Sequence, residues 1–486
     1  MKPAIVAAMA ASLAALASVA ADRTPAWFVD ITAKSGIPSL RYGEGACFTF
    51  SGRQAGLPDL FLPIVKGRNR LFRNLGGGRF EEVPADAGFR GKDGIGALFA
   101  DLDSDGRDEL FVVRGAYPYG TNLLYREGED GAWRELSAEA GIAGKRNGIS
   151  AAMADVDGDG RLDIFVANWG RSTLYLNRSS KGRLRFEDAT MAAGLGEEGR
   201  SWAPLFSDLD GDGHPDLVVA RGGDGRSDGL RYYRNRGDGT FEERTVEAGL
   251  GGCKWSMSVV SADFDGDGDF DLFAGGYDGP DRLFRNDGAG RFVDATAASG
   301  IRSSRSVGCA AADIDGDLLP DIVSAGFAGP VRLFRNMGGL RFAEPGPRSG
   351  LDSPKRNEGV VLADVDDDGA IDLYVSNYDG HNRLYRNAAG SGPVLKVRPE
   401  PGGRTPVGAV ARLYRSGALG EKRALLATQE LQAGSGYCAQ PPAEFLFRLP
   451  PAVPCDLRVT FPGGAIFERA NVTPGRVTAR PELEKR

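Results

Sequence analysis

Asp263-Phe264-Asp265-Gly266-Asp267-Gly268-Asp269-Phe270-Asp271 sets carboxylates at positions 1, 3, 5 and 9 of a nine-residue stretch interrupted by two glycines. Anions this close repel one another unless a cation stands between them. Hard oxygen ligands on a short, sharply bent loop suit Ca²⁺, which takes about six to eight oxygens at roughly 2.3–2.6 Å. Positions 1, 3, 5 and 9 read as side-chain ligands. The main-chain carbonyl of position 7, here Asp269, reads as a further one.

The pattern returns. Its first carboxylate recurs at Asp101, Asp155, Asp208, Asp263, Asp313 and Asp364, at intervals of 50–55 residues. Each loop follows a small-residue run such as Gly148-Ile149-Ser150-Ala151-Ala152-Met153-Ala154 and leads into a β-branched or aromatic run such as Asp163-Ile164-Phe165-Val166. A third run appears seven times, from Leu71-Phe72-Arg73-Asn74 to Leu384-Tyr385-Arg386-Asn387, and a fourth of the type Arg79-Phe80-Glu81-Glu82-Val83 completes the unit. Four short strands per unit with no helix between them predict the blade of a β-propeller. The expected fold is all-β, a seven-bladed propeller over residues 22–388 followed by a small β-sandwich-like domain over 389–486. In the first unit Ser51 and Gly52 stand where the carboxylates should begin, so no ion is expected there. Trp27-Phe28-Val29-Asp30-Ile31-Thr32 is a fourth-strand run without its first three, and the seventh unit lacks a fourth. Each supplies what the other lacks, and the ring is expected to close without open edges. An EF-hand is excluded: position 12 is Val112, Val166, Val219, Ala274, Ser324 or Val375, where that motif needs a bidentate Glu.

These units resemble the FG-GAP/VCBS repeats of integrin α-subunit heads and related bacterial propellers, from about residue 27 to 387. The resemblance implies Ca²⁺ in the loop between strands one and two, at five to six sites. Carried onto this chain, complete carboxylate sets are Asp155, Asp157, Asp159 and Asp163; Asp208, Asp210, Asp212 and Asp216; Asp263, Asp265, Asp267 and Asp271; and Asp364, Asp366, Asp368 and Asp372. Asp101, Asp103 and Asp105 are followed by Glu109 at position 9, and Asp313, Asp315, Asp317 and Asp321 enclose Leu318 where the others have glycine. A left-handed leucine costs on the order of 1–2 kcal/mol, so this loop is expected to bind more weakly. The position-7 carbonyls are those of Arg107, Arg161, His214, Asp269, Leu319 and Ala370.

Beyond Asn387 the period stops, and alternating runs such as Val394-Leu395-Lys396-Val397 and Leu457-Arg458-Val459-Thr460-Phe461 predict a small β domain. Val407-Gly408-Ala409-Val410, Gly434-Ser435-Gly436-Tyr437 and Val459-Thr460-Phe461-Pro462-Gly463-Gly464 resemble the ASPIC/UnbV domain that follows such repeats in the cartilage acidic protein family and bacterial relatives. The chain departs from that pattern at Gly402-Gly403-Arg404-Thr405-Pro406 and at Arg448-Leu449-Pro450. The resemblance brings no enzymatic role.

In a four-stranded blade the metal loops occupy one face of the disc, which leaves the other for a partner. That face is expected to carry Tyr117, Tyr119, Trp169, Trp202, Trp255, Tyr277 and Tyr378, with Arg114, Arg171, Arg221 and Arg226 nearby. Aromatic rings there stack on a glycan or anchor a protein, or else they plug the channel and pad blade junctions. Arg236-Gly237-Asp238 falls in a turn where Gly and Asp serve the bend alone. Two histidines and the absence of a nucleophile elbow, P-loop or zinc motif argue against an enzyme. A polysaccharide lyase or glycosidase, whose site leaves no local motif, is the alternative. Residues 1–21 read as a cleaved secretory signal: Lys2, an apolar run, then small residues at Ser18, Ala20 and Ala21. The mature chain is expected to be secreted, periplasmic or at the cell surface, with no membrane span. Its net charge of −7 lies largely in the acidic loops, and no basic block points to nucleic acid. Of five cysteines, Cys47 and Cys309 hold equivalent small-residue positions, while Cys438 and Cys455 either pair in an oxidising compartment or stay free. The expected function is a calcium-binding recognition or adhesion module for a glycan or an extracellular or cell-surface protein.

Overall fold

In the computed structural model, residues 26–481 are described except 41–42, 51–55, 85–86, 89–92, 116–119, 143, 145, 226–228, 303–304, 328, 354–355, 391, 401–405 and 452. Residues 1–21, read above as a leader, Ser51 and Gly52, and residues 402–405 therefore lie outside the described residues.

Each small-residue run becomes the first strand of an antiparallel sheet. These strands span Ala46–Thr49, Gly94–Ala100, Gly148–Ala154, Ser201–Ser207, Ser256–Ala262, Ser306–Ala312 and Asn357–Ala363. Small side chains are needed because these strands crowd together around the central axis, each touching the first strand of the next sheet, and the seventh touching the first. The second strand, for example Asp163–Asn168, is buried along its whole length between neighbouring sheets, which explains its β-branched and aromatic content. Outer strands such as Phe186–Asp188 bury only their first residue. Among the described residues seven sheets share this order, and the molecule is a β-propeller. The ring closes as the terminal runs foretell: Phe28–Asp30 pairs antiparallel with Arg383–Asn387, Phe28 opposite Asn387.

After residue 393 the chain forms two further sheets. One joins Phe445–Arg448, Val394–Pro399 and Gly475–Ala479; the other joins Leu425–Glu430, Val410–Arg415, Cys455–Thr460 and Ile466–Val472. Leu395, Val397, Leu413, Phe445, Phe447, Leu457 and Val459 fill the core between them. This unit rests on the acidic-loop face of the propeller, where Lys422 pairs with Asp269 at 3.2 Å and Arg448 donates to the Gly369 carbonyl.

One segment of it goes further. Residues 431–440 enter the middle of the ring. Met153 N donates to Ala433 O (2.8 Å), Gly436 N to Val259 O (3.0 Å), and Gln440 exchanges side-chain hydrogen bonds with both main-chain groups of Phe99. Ala439–Gln440 adds a parallel strand to the first sheet, Ala439 opposite Ala46. The Gly434-Ser435-Gly436 motif follows from this crowding, because a Cβ on Gly434 would strike the Ala151 carbonyl and one on Gly436 the Cys309 carbonyl. The segment also separates Cys438 from Cys455: all five cysteines are free and buried, and the pairing considered above does not form.

Candidate metal loops and ligand face

The six acidic loops share one local construction. The position-1 carboxylate accepts the N–H of position 6, at 2.9 Å for Asp101, 2.7 Å for Asp155, 3.0 Å for Asp208, Asp263 and Asp313, and 2.8 Å for Asp364. The position-5 carboxylates Asp105, Asp159, Asp212, Asp267, Asp317 and Asp368 accept the N–H of position 7, on Arg107, Arg161, His214, Asp269, Leu319 and Ala370. Position 6 is left-handed throughout, including Leu318 at φ 73°. The leucine has a compensating contact, since its side chain packs against the core of the C-terminal sheets.

Carboxylate oxygens converge within 4.8 Å in the groups Asp101, Asp103 and Glu109; Asp155, Asp157 and Asp163; Asp208, Asp210 and Asp212; Asp263, Asp265 and Asp267; and Asp313, Asp315 and Asp321. At an effective dielectric of about 20, each such pair of charges costs roughly 3 kcal/mol. Burial, then mutual repulsion, holds Asp208, Asp263 and Asp313 at about 6. Burial likewise raises Glu109, Asp163, Asp216, Asp271 and Asp321 to about 8, and Asp372 well above the usual range. One oxygen each of Asp157, Asp208, Asp315 and Asp364 is buried with no hydrogen-bond partner. Buried anionic oxygens without donors are what a cation would satisfy, so Asp157, Asp208 and Asp315 fit a hard divalent ion, whereas Asp364 already holds the Lys396 ammonium on its other oxygen.

Position 9 carries a load that sequence reasoning missed. Asp163 accepts the N–H of Val156 through one oxygen (2.9 Å) and that of Asn177 through the other (2.7 Å), so it pins the loop to strand three. The asparagine ending strand three then reaches the previous blade. Asn177 donates to Leu102 O, Asn235 to Val156 O, Asn286 to Leu209 O, Asn336 to Phe264 O, Asn387 to Ile314 O and Asn74 to Val365 O, all at 2.8–3.1 Å. Every acceptor is position 2 of a neighbour's acidic loop. Unit two lacks the asparagine and has Glu127 instead, and its preceding neighbour is the unit without an acidic loop. The signal was present in the repeated Arg-Asn of the third run. Position 3 is also paired, Asp157 with Arg178 at 2.7 Å and Asp265 with Arg285 at 3.1 Å, while Asp103, Asp210 and Asp315 face Arg126, Arg234 and Arg335.

The opposite face brings most of the predicted aromatics together. Trp169 meets Trp202 edge-on (centroids 5.5 Å), Trp202 meets Trp255 (6.0 Å), Trp255 meets Tyr277 (4.3 Å), and Tyr277 meets Phe327 (5.2 Å). Arg356 bridges Phe327 and Tyr378, 4.0 Å above the latter ring, and Arg200 lies over Trp169. Trp202 departs from expectation: it is 8 % exposed and donates to Gly222 O, so it supports the arc from beneath. Phe327 joins it unforeseen. Tyr117, Tyr119 and Arg226 lie outside the described residues. Arg171 and Arg221 pair with Glu198 and Glu197 and are neutralised locally. Tyr437, at the tip of the inserted segment, floors the arc and donates to Glu44 at 3.0 Å. Burial, then repulsion from Glu44, raises nearby Glu358 well above the usual carboxylate range. Asp238 of the Arg236-Gly237-Asp238 turn accepts from Thr240, a bend-making role.

A family profile described as FG-GAP-like repeat matches residues 55–112, 101–166, 155–219, 208–274, 263–324 and 313–375. Cartilage acidic protein 1 of Homo sapiens is 28 % identical over 80 % of this chain, and that of Xenopus tropicalis 26 % over 85 %. The chain spans 63 % and 68 % of those relatives' lengths. Among solved structures, the BP39L lectin from Burkholderia pseudomallei superposes with a TM-score of 0.50 at 15 % identity, covering 72 % of this chain and 98 % of the lectin.

Proposed function

The chain belongs to the FG-GAP-like repeat family, with the ASPIC/UnbV segment of its cartilage acidic protein relatives, and from that premise we propose that it is an exported, calcium-loaded recognition module. In this reading residues 1–21 direct export, 22–388 form the propeller and 389–486 the appended domain. Ca²⁺ bound by the loop carboxylates and position-7 carbonyls offsets the charge crowded there. Its role is structural, because the C-terminal sheets cover much of that face. The observation that carries the recognition role is the uncovered arc of Trp169, Trp255, Tyr277, Phe327 and Tyr378 on the other face. Rings aligned across adjacent units offer stacking surface to successive sugars of a glycan, or an anchor line to a surface protein.

A glycan array, followed by product analysis on every hit, tests the reading. Binding is expected to be lost in Trp169→Ala with Tyr277→Ala, while the thermal transition stays in place because both rings are partly exposed. New reducing or unsaturated ends would replace the reading with a carbohydrate-active enzyme.

A further inference from the structure

The acidic loop of the seventh unit, the seventh loop for short, differs from the other five in what stands beside its first carboxylate. Lys396 lies mid-strand in Val394–Pro399, paired with Leu446 on one side and Arg476 on the other, so its backbone position is fixed. Its ammonium donates to Asp364 and to Asp367, and the side chain is only 8 % exposed. Asp367 sits at position 4, where four of the other loops have glycine and one serine. It holds φ 65° there, and it also pairs with Arg476 at 2.5 Å. No lysine or arginine lies within ion-pair distance of the position-1 carboxylates Asp101, Asp155, Asp208, Asp263 or Asp313 among the described residues. Lys422 approaches the loop of the fifth unit, yet it pairs with Asp267 and Asp269 at the rim.

We propose that the seventh loop draws its positive charge from Lys396 of the C-terminal sheet instead of from a metal ion. The inference rests on the calcium reading above. A buried ammonium on the position-1 oxygen repels a divalent ion a few ångströms away. The left-handed Asp367 supplies this loop with a second anionic contact for that ammonium. The C-terminal domain is thereby fastened to the blade that closes the ring, and the chain binds one calcium fewer than its acidic loops would suggest.

Calcium titration of the metal-stripped full chain, with atomic absorption on dialysed protein, decides the matter. Asp364→Asn is expected to leave the number of ions per chain unchanged, whereas Asp263→Asn removes one. Lys396→Met is expected to gain one ion, and adding Asp364→Asn to it removes that ion again. Loss of an ion in the Asp364→Asn single variant, or no gain in Lys396→Met, would overturn the proposal. Should Lys396→Met fail to fold, the Asp364→Asn arm decides alone. If no protein takes up calcium, Asp263→Asn included, the calcium reading itself falls and this inference with it.

Discussion

Asn286 illustrates how a single side chain ties two blades together. Its amide donates to Leu209 O (2.8 Å) and Phe270 O (3.0 Å), both buried, and its own N–H reaches Asp271. Removing the amide strands two buried acceptors, each worth about 1–3 kcal/mol. Asn286→Ala is therefore expected to destabilise the chain by roughly 2–6 kcal/mol in chemical denaturation, whereas Asp287→Ala next door stays near wild type. Glu358 gives a second residue-level test. Its folded pKa lies above the ordinary 4.5, from burial first and repulsion by Glu44 second. A raised carboxyl contributes stability that is fully present below the unfolded value and is lost as pH rises through the folded one. At saturating calcium, Glu358→Gln should flatten the fall in melting temperature as pH rises above the ordinary carboxylate range. A wild-type curve without that fall would count against the assignment.

The inserted segment at 431–440 is the element on which the two parts of the chain depend. Gly436 is left-handed at φ 64°, and a Cβ there would run into the Cys309 carbonyl. Gly436→Ala is expected to expel the segment, seen as faster proteolysis near residue 390 and loss of amide protection at Ala46 and Met153. Unchanged protection would show that the ring tolerates the displaced strand. Sequence reading found the elements that repeat, since a period of some 50 residues exposes the strand pattern, the acidic loops and the split last blade. It missed this insertion because 431–440 has no alternation, and its partners at Ala46, Phe99, Met153 and Val259 lie hundreds of residues away. Leu318 shows the same boundary. Its left-handed strain was legible from the missing glycine, but its contact with the C-terminal core was not, because that contact crosses between domains.

For the molecule as a whole, the acidic loops and the C-terminal domain are expected to unfold as one unit, because they are in direct contact. The domain stands on Asp269, Leu318, Asp364 and Gly369, which are themselves parts of the loops. Whatever orders the loops therefore seats the domain, and the inserted segment carries that coupling to the axis of the ring. A site held at about a thousand times its dissociation constant adds roughly 4 kcal/mol. A kilocalorie moves the midpoint of a domain of this class by about 2–4 °C or less as size grows, so several sites together predict a fall of more than about 10 °C on chelation. Calorimetry should show a single transition with calcium. After chelation it should show an earlier, split transition, with the C-terminal sheets leaving first because their footing is lost. An unshifted, single transition in excess chelator would mean that the arginines at position 3 balance the loop charge unaided, and that the metal contributes nothing to the fold.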